Sequence, residues 1–553
     1  MREIAPPLPA PFTARLDRRH LFRLGGLAML LAGGRLAAQD FGTGFTHGVA
    51  SGEPGANRVL LWTRYVAAQP VKLRFEIAED ESFARPVSGG EVEAGPERDW
   101  CAKAFAEGLE PGRWYYYRFV APDGDTSCIG RTRTLPDGPT AEWRMAVFSC
   151  SNLGFGWFNA YGHAAEGDAF DMAVHLGDYY YEYGRGHYPD PGEEGPDRVL
   201  WPANEIVTLA DYRLRHATYR ADPDLRRLTQ CYPMIFIWDD HETANDSWMG
   251  GAENHQPDSE GPWSVREAAA LRAYREWLPV SDEDWAEYQV GDLATIFRLE
   301  TRLDGREKQF NLRDLFKPGM EPAEIERALV AFRDGPWSDP KRQLMGARQE
   351  AWLRDALQRS TGSGRRWQVL AQQIVMGELR LDPQMAAGVV EAANPAVKAQ
   401  VGAMALTSMA GLPFNMDSWD GYPAARARLF KASLDAGANL VTLSGDSHNG
   451  WANDLSLGGE PVGVEFGGHS VTSPGAEGYL PWMPTGQLTQ SVVGYNPGLV
   501  WADLSQRGYM AVELTPQQAR CDWRFMGTIR NRTTQLAGSH RMVAAHGARK
   551  FSA

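Results

Sequence analysis

The sequence predicts an α/β fold in which a small β-sandwich precedes a larger layered domain. Three observations carry this prediction: the chain length, a change of pattern near residue 138, and polar residues at several strand ends. With 553 residues, the chain can form a large domain and an appendage of roughly 100 residues. Hydrophobic residues make up 43% and charged residues 23%, which is typical of a globular protein.

Residues 42–138 contain short β-type runs separated by turn signals. The runs are "RVLLWTRY", "VKLRFEIA" and "RWYYYRFVA", and the turn signals include "GEPGAN", "EPGR" and "PDGD". This spacing predicts a small β-sandwich. The Pro/Gly stretch "LPDGPTAEW" then indicates a linker, so we place the second domain at 140–535 and a C-terminal tail at 536–553.

Within 140–535, strands alternate with helical stretches, which predicts an α/β layered domain. The predicted strands are 144–150, 171–178, 234–240, 367–373, 439–446, 462–468 and 509–515. The predicted helices are 208–219, 264–278, 341–358 and 423–436. The Gly/Pro-rich segment 184–204 is expected to be a long surface loop over a site.

The N-terminus has the pattern of a twin-arginine export signal. Arg18 and Arg19 precede an apolar run, Leu24–Ala32, that is too short to span a bilayer. Small residues at Ala37 and Ala38 suggest cleavage there, so residues 1–38 are predicted as a signal peptide. We therefore expect the twin-arginine export machinery as a partner, a periplasmic or secreted location, and no membrane span in the mature chain.

The charge balance disfavours nucleic acid as a specific partner. The formal net charge is -14 and the sequence pI is about 5.4. A surface of this sign repels polyanions. An anionic substrate would bind only where cations reverse the local field, which favours a metal site.

The five cysteines leave the redox chemistry open. Cys101 and Cys128 lie in the same segment and could pair, while Cys231 could pair with Cys521 only if their strands are neighbours. One cysteine is left over, and we nominate Cys150 because it ends a predicted strand.

Four predicted strands end in potential metal ligands: "FSCSN" at Cys150, "LGDYYYEYG" at Asp178, "WDDHE" at Asp240, and "LSGDSHN" at Asp446 and His448. In α/β sheets, ligands collect outside the carboxyl ends of the strands. Each residue alone has a simpler explanation: a helix cap, a turn residue, a satisfied buried histidine or a small buried hydrophobe. Taken together, they predict one shared site.

The motifs, read in order, resemble those of a known family. "FSCSN", "LGDYYYE", "WDDHE", "LAQQI", "DSWDGYPAARARL", "GDSHN" and "SVTSPG" look like the PhoD-type alkaline phosphatases and phosphodiesterases of the metallophosphatase superfamily. "GVASGEPGANRVLLWTR" resembles the N-terminal domain of the same family. The resemblance covers about 42–528. It implies a four-layer α/β/β/α sandwich with an N-terminal fibronectin-like β-sandwich, and hydrolysis of phosphate mono- and diesters at alkaline pH outside the cytoplasm.

The resemblance also implies Fe³⁺ and Ca²⁺ as cofactors. Cys150, Asp178 and Tyr181 would hold iron, and thiolate and phenolate donors suit a strong Lewis acid of this kind. The hard carboxylate of Asp240 favours calcium. His448 and Asp446 would complete the ligand shell, whereas Tyr179 and Tyr180 are expected to pack in the core.

Two residues are assigned to substrate chemistry, because an anionic ester needs both charge neutralisation and proton transfer. His241 is the predicted catalytic residue, since its neighbour Asp240 would bind metal. Arg185 is the predicted substrate-binding residue. Relatives have "NPHL" where this chain has "NPGL", so Gly498 removes a polar side chain. The segment 286–316 is expected to form extra strands and loops over the site.

Two alternatives stay open from the sequence. One is a phospholipase D-like phosphodiesterase, which a comparison of monoester and diester hydrolysis would distinguish. The other is a secreted binding protein with a structural metal site, which hydrolysis surviving Asp240→Ala would favour. A closed structural site leaves no coordination position for water, so the mixed ligands and the long loop favour the enzyme.

Overall fold

The computed structural model describes residues 41–552, except residues 168, 318, 385–394 and 482. The predicted signal peptide, 1–38, lies outside these residues. None of the helices in the described part is long and apolar enough to cross a membrane. Strands and helices are numbered below along the chain.

A mixed nine-stranded sheet forms one half of the molecule. In sheet order its strands are β20 (Leu536–Ala545), β19 (Gln518–Met526), β18 (Gly508–Leu514), β8 (Trp143–Phe148), β9 (Met172–His175), β10 (Pro233–Phe236), β1 (Gly44–Gly52), β2 (Arg58–Val66) and β5 (Cys101–Glu107). The central strands β8, β9, β10 and β1 are parallel. The segment predicted as a C-terminal tail contributes β20, which pairs with β19.

A second sheet of seven strands faces the first. In sheet order its strands are β11 (Ala286–Val290), β12 (Ala294–Arg298), β13 (Trp367–Ala371), β14 (Leu440–Ser444), β16 (Glu460–Gly467), β15 (Gly450–Leu457) and β17 (Leu499–Asp503). Strands β12, β13, β14 and β16 are parallel. This corrects part of the expectation for 286–316: β11 and β12 form the edge of the sheet, because Tyr288 and Ile296 pack into the core between the sheets. The later part of the segment, from 308 to 316, contributes to the lining of the cavity at the strand ends.

Side chains alternate between the two faces of each sheet, as the period of a β-strand requires. Met145 and Val147 of β8 point into the core between the sheets, whereas Ala146 and Phe148 point into the core beneath the helices. Burying an aliphatic or aromatic side chain of this size contributes about 1.5–3 kcal/mol. Both faces of the sheet are therefore covered.

Helices cover the outer faces of both sheets. The α-helices of the described residues are α1 (Asn159–Ala164), α2 (Leu209–Arg220), α3 (Pro223–Cys231), α4 (Pro257–Glu260), α5 (Trp263–Trp277), α6 (Pro322–Phe332), α7 (Gly346–Gly362), α8 (Pro395–Met409), α9 (Pro423–Asp435), α10 (Ala476–Tyr479) and α11 (Thr485–Tyr495). Helices α1, α2, α3 and α5 pack on the nine-stranded sheet, and α7 and α9 pack on the seven-stranded sheet. The predicted α/β/β/α layer order is confirmed.

The N-terminal β-sandwich is also present. A four-stranded sheet, in the order β4 (Pro86–Ala94), β3 (Val71–Ala78), β6 (Trp114–Val120) and β7 (Gly130–Arg133), packs on β1 and β2. Leu61, Phe75 and Phe119 are buried between the two layers. One layer of the sandwich therefore continues into the nine-stranded sheet through the parallel pairing of β1 with β10. The boundary at residue 138 stays a prediction.

The structure contains neither of the disulfides considered from the sequence. Cys101 is a buried free thiol and Cys128 an exposed one. Cys521 lies in the core between the sheets, whereas Cys231 packs beneath the helices, on the opposite face of the nine-stranded sheet. The sheet itself keeps these two sulfurs apart.

Candidate metal centre

The four predicted strand ends meet at one cavity. Cys150 follows β8, Asp178 follows β9, Asp240 follows β10, and Asp446 and His448 follow β14. The parallel strands of both sheets direct their carboxyl ends to the same edge, where ligands usually bind. The cavity has a volume of about 1700 Å³, and its lining includes Asp178, Asp240, His241, Asp446 and His448.

The backbone at these strand ends is strained. Cys150, Asp178, Asp446 and His448 have φ angles of 58°, 52°, 60° and 62°. Residues other than glycine rarely adopt this left-handed backbone conformation, and those that do often lie at functional sites. Hydrogen bonds between the loops stabilise the conformation, as from the Ser151 amide to the Asp178 carbonyl at 2.8 Å. The strained turns bring the side chains of Cys150, Asp178 and His448 close together.

The first ligand group consists of Cys150, Asp178 and His448, whose ligand atoms all lie within 4.8 Å of one another. The Tyr181 hydroxyl lies 3.1 Å from both Asp178 Oδ2 and His448 Nε2. His448 Nδ1 lies 2.8 Å from the Pro474 carbonyl, so it carries the proton and leaves Nε2 as an acceptor facing the group. The structure thus brings together all four predicted residues of this group.

Burial favours the neutral forms of Cys150, Tyr181 and His448. It raises the pKa of the Cys150 thiol and of the Tyr181 phenol well above their ordinary values, and the nearby Asp178 carboxylate raises both further. It also lowers the pKa of His448 to about 3. A bound cation would reverse the effect on the thiol and the phenol, because it stabilises their anions.

The second ligand group consists of Asp178, Asp240 and His241. Asp240 accepts hydrogen bonds from the amides of His241 at 3.0 Å and Asp246 at 2.6 Å. His241 Nδ1 lies 2.7 Å from Glu182 Oε2. Burial alone would lower the pKa of His241, but the carboxylates of Asp240, Asp178 and Glu182 outweigh it and raise the pKa well above its ordinary value. In the absence of a bound cation, these carboxylates favour the protonated form of His241, which can donate a proton.

Glu242 explains why the motif "WDDHE" ends in another carboxylate. Its side chain accepts hydrogen bonds from the amides of Asp178 at 3.1 Å, Tyr179 at 2.5 Å and Asp239 at 2.7 Å. The carboxylate thus joins the loops that follow β9 and β10 and orients Asp178. Tyr179 and Tyr180 pack in the core beneath the helices.

A third group, Asp239, Asp240 and Asp446, contacts an arginine that the sequence analysis missed. Arg302, in the loop after β12, is completely buried, and its guanidinium contacts all three carboxylates. Asp417, in the motif "DSWD", binds the same guanidinium. Arg302 lies four residues after β12, which was not among the predicted strands, so no local sequence signal marked it.

Arg185 lies elsewhere. Its guanidinium stacks on the Trp201 ring at 4.3 Å and donates from Nε to the Leu200 carbonyl at 2.6 Å. Among the described residues that line the cavity, neither Arg185 nor Gly498 appears. The backbone of Gly498 instead accepts a hydrogen bond from Asp454 at 2.7 Å, beside β15. Neither residue is brought to the predicted site.

The residues present fit a metal centre. Asp178 Oδ1 is buried and has no hydrogen-bond partner among the described residues. Such an atom is costly unless another group satisfies it. Asp178 belongs to both the first and the second group. Its carboxylate can therefore bridge two cations, one near sulfur, phenol and imidazole donors and one near hard oxygens.

The wider cavity has walls of two kinds. Lys308, Arg313 and Arg380 line it and contribute positive charge. Another part of the wall is apolar and consists of Val375, Leu379, Leu381, Leu488 and Val492. The cavity can therefore hold a molecule with an anionic and an apolar part.

Comparisons with known proteins agree with this geometry. Residues 145–523 match the family model described as PhoD-like phosphatase, and residues 32–136 match the PhoD-like phosphatase N-terminal domain. The chain is 34% identical over 509 residues to alkaline phosphatase D of Bacillus subtilis (strain 168), covering 87% of this chain and 77% of that protein. A solved structure described as PhoD superposes with a TM-score of 0.74 at 30% identity and covers 93% of both chains.

Proposed function

The chain belongs to the PhoD-like phosphatase family, and from this premise we propose that it is a metal-dependent alkaline phosphatase that releases phosphate from phosphomonoesters. One observation carries the proposal: Asp178 is shared by two ligand groups and lines a large cavity. Two cations held by one carboxylate could stabilise both the attacking and the leaving oxygen of a phosphoryl transfer.

We assign the two metals by donor chemistry. Cys150, Asp178, Tyr181 and His448 would hold Fe³⁺, because thiolate and phenolate anions need a strong Lewis acid at this buried position. Asp178 and Asp240 would hold Ca²⁺, which prefers carboxylate oxygens, and Asp446 would complete the ligand shell. When bound, these ions neutralise the ester oxygens and lower the pKa of the attacking water.

The protein's own groups would complete the reaction. The His241 imidazolium donates its Nε2 proton to the leaving oxygen, while Glu182 holds Nδ1 and fixes the ring. Ser473 donates a hydrogen bond to the Tyr181 oxygen at 2.7 Å and orients it. Arg185 has no place in this proposal. Lys308, Arg313 and Arg380 are the cations that can attract the anionic substrate.

We also propose export of the folded chain. The paired Arg18 and Arg19 before an apolar run support the twin-arginine route, which leads to the periplasm or the exterior.

A second candidate activity is hydrolysis of phosphodiesters with an apolar alcohol, as in a phospholipase D-like enzyme. The apolar part of the cavity wall favours it, since a small polar monoester would leave this surface unused. The two activities can coexist in one site, and their ratio is measurable.

The deciding experiment combines elemental analysis with hydrolysis of p-nitrophenyl phosphate and bis(p-nitrophenyl) phosphate across pH. We expect iron and calcium in the purified protein, loss of hydrolysis on chelation and recovery on adding both metals back. Faster hydrolysis of the diester would favour the second candidate. Full hydrolysis by metal-free protein would overturn both.

A further inference from the structure

Arg302 commits every nitrogen of its guanidinium to an acidic partner. Nε donates to Asp239 Oδ1, and Nη1 donates to both oxygens of Asp417 at 2.8 and 2.7 Å. Nη2 lies 3.3 Å from Asp446 Oδ1 and 3.8 Å from Asp240 Oδ1. A completely buried guanidinium thus lies among four carboxylates next to the proposed metals.

The pocket around Nε and Nη2 has the composition of a cation site. Oxygens of Asp239, Asp240 and Asp446 lie within 4.8 Å of one another, and hard divalent cations favour such oxygens. Asp239 and Asp240 follow β10, and Asp446 follows β14, so both sheets contribute to the pocket. The positive charge within reach of all three is the Arg302 guanidinium.

Other contacts prevent this guanidinium from swinging away. Asp417 holds its Nη1 side with two hydrogen bonds, and Arg306 in turn binds Asp417 through both the side chain and the carbonyl, the latter at 2.6 Å. Arg306 and Arg302 are both fully buried. A planar guanidinium that is hydrogen-bonded along two of its edges is held in one orientation. Arg302 is therefore a fixed part of the site.

We propose that the Arg302 guanidinium occupies the acidic pocket of Asp239, Asp240 and Asp446 as a built-in cation and so limits the number of metal ions that the centre binds. The inference rests on the proposed metal-dependent function, because it concerns the stoichiometry of the same centre. A further divalent ion in this pocket would meet a charge of its own sign, which cannot be neutralised because arginine does not lose its proton in proteins.

The electrostatics of the pocket agree with this role. Burial would lower the pKa of Arg302, but the carboxylates of Asp239 and Asp417 outweigh it and raise the pKa well above its ordinary value. For Asp240, burial acts to raise the pKa, but the charges of Arg302 and His241 lower it overall, so this carboxylate stays ionised for its metal. The arginine thus stabilises a ligand without binding a metal.

The test compares the metal content of wild-type protein with that of Arg302→Met and Arg302→Lys after equilibrium dialysis against Ca²⁺. Methionine removes the positive charge and nearly keeps the side-chain length. Lysine keeps the charge but lacks the planar guanidinium and its fixed set of N–H donors. We expect Arg302→Met to bind one further calcium ion per chain, and Arg302→Lys to keep the wild-type content. Arg426→Met is the control, because it removes another buried arginine, which pairs with Asp420 outside the ligand groups.

A wild-type calcium content in folded Arg302→Met would overturn the inference, and so would a gain in Arg302→Lys. If Arg302→Met does not fold, crystals of wild-type protein grown with Mn²⁺ decide the question. An anomalous peak bridging Asp239 and Asp446 would overturn the inference, whereas peaks confined to the other two groups would support it. Wild-type protein that is active without metal would instead refute the proposed function.

Discussion

The two sides of the proposed metal centre balance their charge in different ways. On the side of Cys150, Tyr181 and His448, burial favours the neutral forms of the thiol, the phenol and the imidazole. On the side of Asp239 and Asp446, a fixed guanidinium provides the cation. The protein therefore supplies its own positive charge on one side and leaves the other side to a bound ion.

Asp178 lies between these sides, and its loss should have the largest effect. We expect Asp178→Ala to reduce both metal content and phosphatase activity to background, because its carboxylate belongs to both ligand groups. Elemental analysis and hydrolysis of p-nitrophenyl phosphate would measure this.

Asp171 provides the matched control, since it is a buried aspartate at the opposite end of the same strand and pairs with Arg133. Asp171→Asn should keep its metal even if its stability falls. Full activity in Asp178→Ala would show that the two groups do not share a ligand.

Tyr181 tests the side that depends on a bound ion. A phenolate bound to ferric iron absorbs visible light, so Tyr181→Phe should lose this absorption band. The variant should also bind iron at least ~100-fold more weakly, which exceeds the loss of metal affinity expected for a residue that only orients a ligand. Tyr180→Phe removes a neighbouring phenol that instead donates to the Glu242 carbonyl, and it should keep the band. A visible band that survives in Tyr181→Phe would contradict the iron assignment.

Glu182 tests the proton donor between the two sides. In Glu182→Gln the charge that helps to raise the pKa of His241 is lost, although burial and the other carboxylates still act. We expect kcat to fall about 10-fold, and its decrease at alkaline pH to begin at a lower pH than in the wild type. The metal content should not change. Glu253→Gln, at another position in the cavity wall, is the control. An unchanged pH profile would argue against His241 as the acid.

The smallest effect concerns stability in acid. His175 is the last residue of β9, and its Nε2 lies 2.8 Å from the Tyr161 hydroxyl. Burial lowers the pKa of His175 from 6.5 to about 3. Between these pH values the unfolded chain binds a proton that the folded protein does not, so stability is lost as the pH falls from 6.5. The loss amounts to a few kcal/mol, at about 1.4 kcal/mol per pKa unit.

His175→Gln should flatten this pH dependence in urea unfolding, even if its stability at neutral pH is lower. His187→Gln, which changes an exposed histidine in the loop 184–204, should keep the wild-type slope. An unchanged slope in His175→Gln would mean that other groups carry the acid sensitivity.

The ligand motifs were predictable because each follows a hydrophobic strand directly in the sequence. The β9 strand and Asp178 illustrate this, since the apolar run and its polar end are adjacent. The layer order followed from the same alternation of strands and helices. These features depend on local patterns, which a single sequence contains.

Arg302 was not predictable for the same reason. Its partners Asp239, Asp417 and Asp446 come from three other segments, and nothing near Arg302 in the sequence indicates that they converge on it. The position of β11 and β12 at a sheet edge likewise depends on pairing with β13, far along the chain. Arg185 shows the converse: closeness in sequence to Asp178 and Tyr181 did not bring it to their cavity.

The parallel pairing of β1 with β10 has a consequence for how this protein can be divided. A chain shortened to begin at residue 140 would leave one edge of β10 without its neighbour, in a sheet whose other strands stay paired. Exposed strand edges recruit other chains and promote aggregation. The N-terminal sandwich thus covers that edge of β10. We therefore expect the two parts to be exported, to fold and to remain stable as one unit.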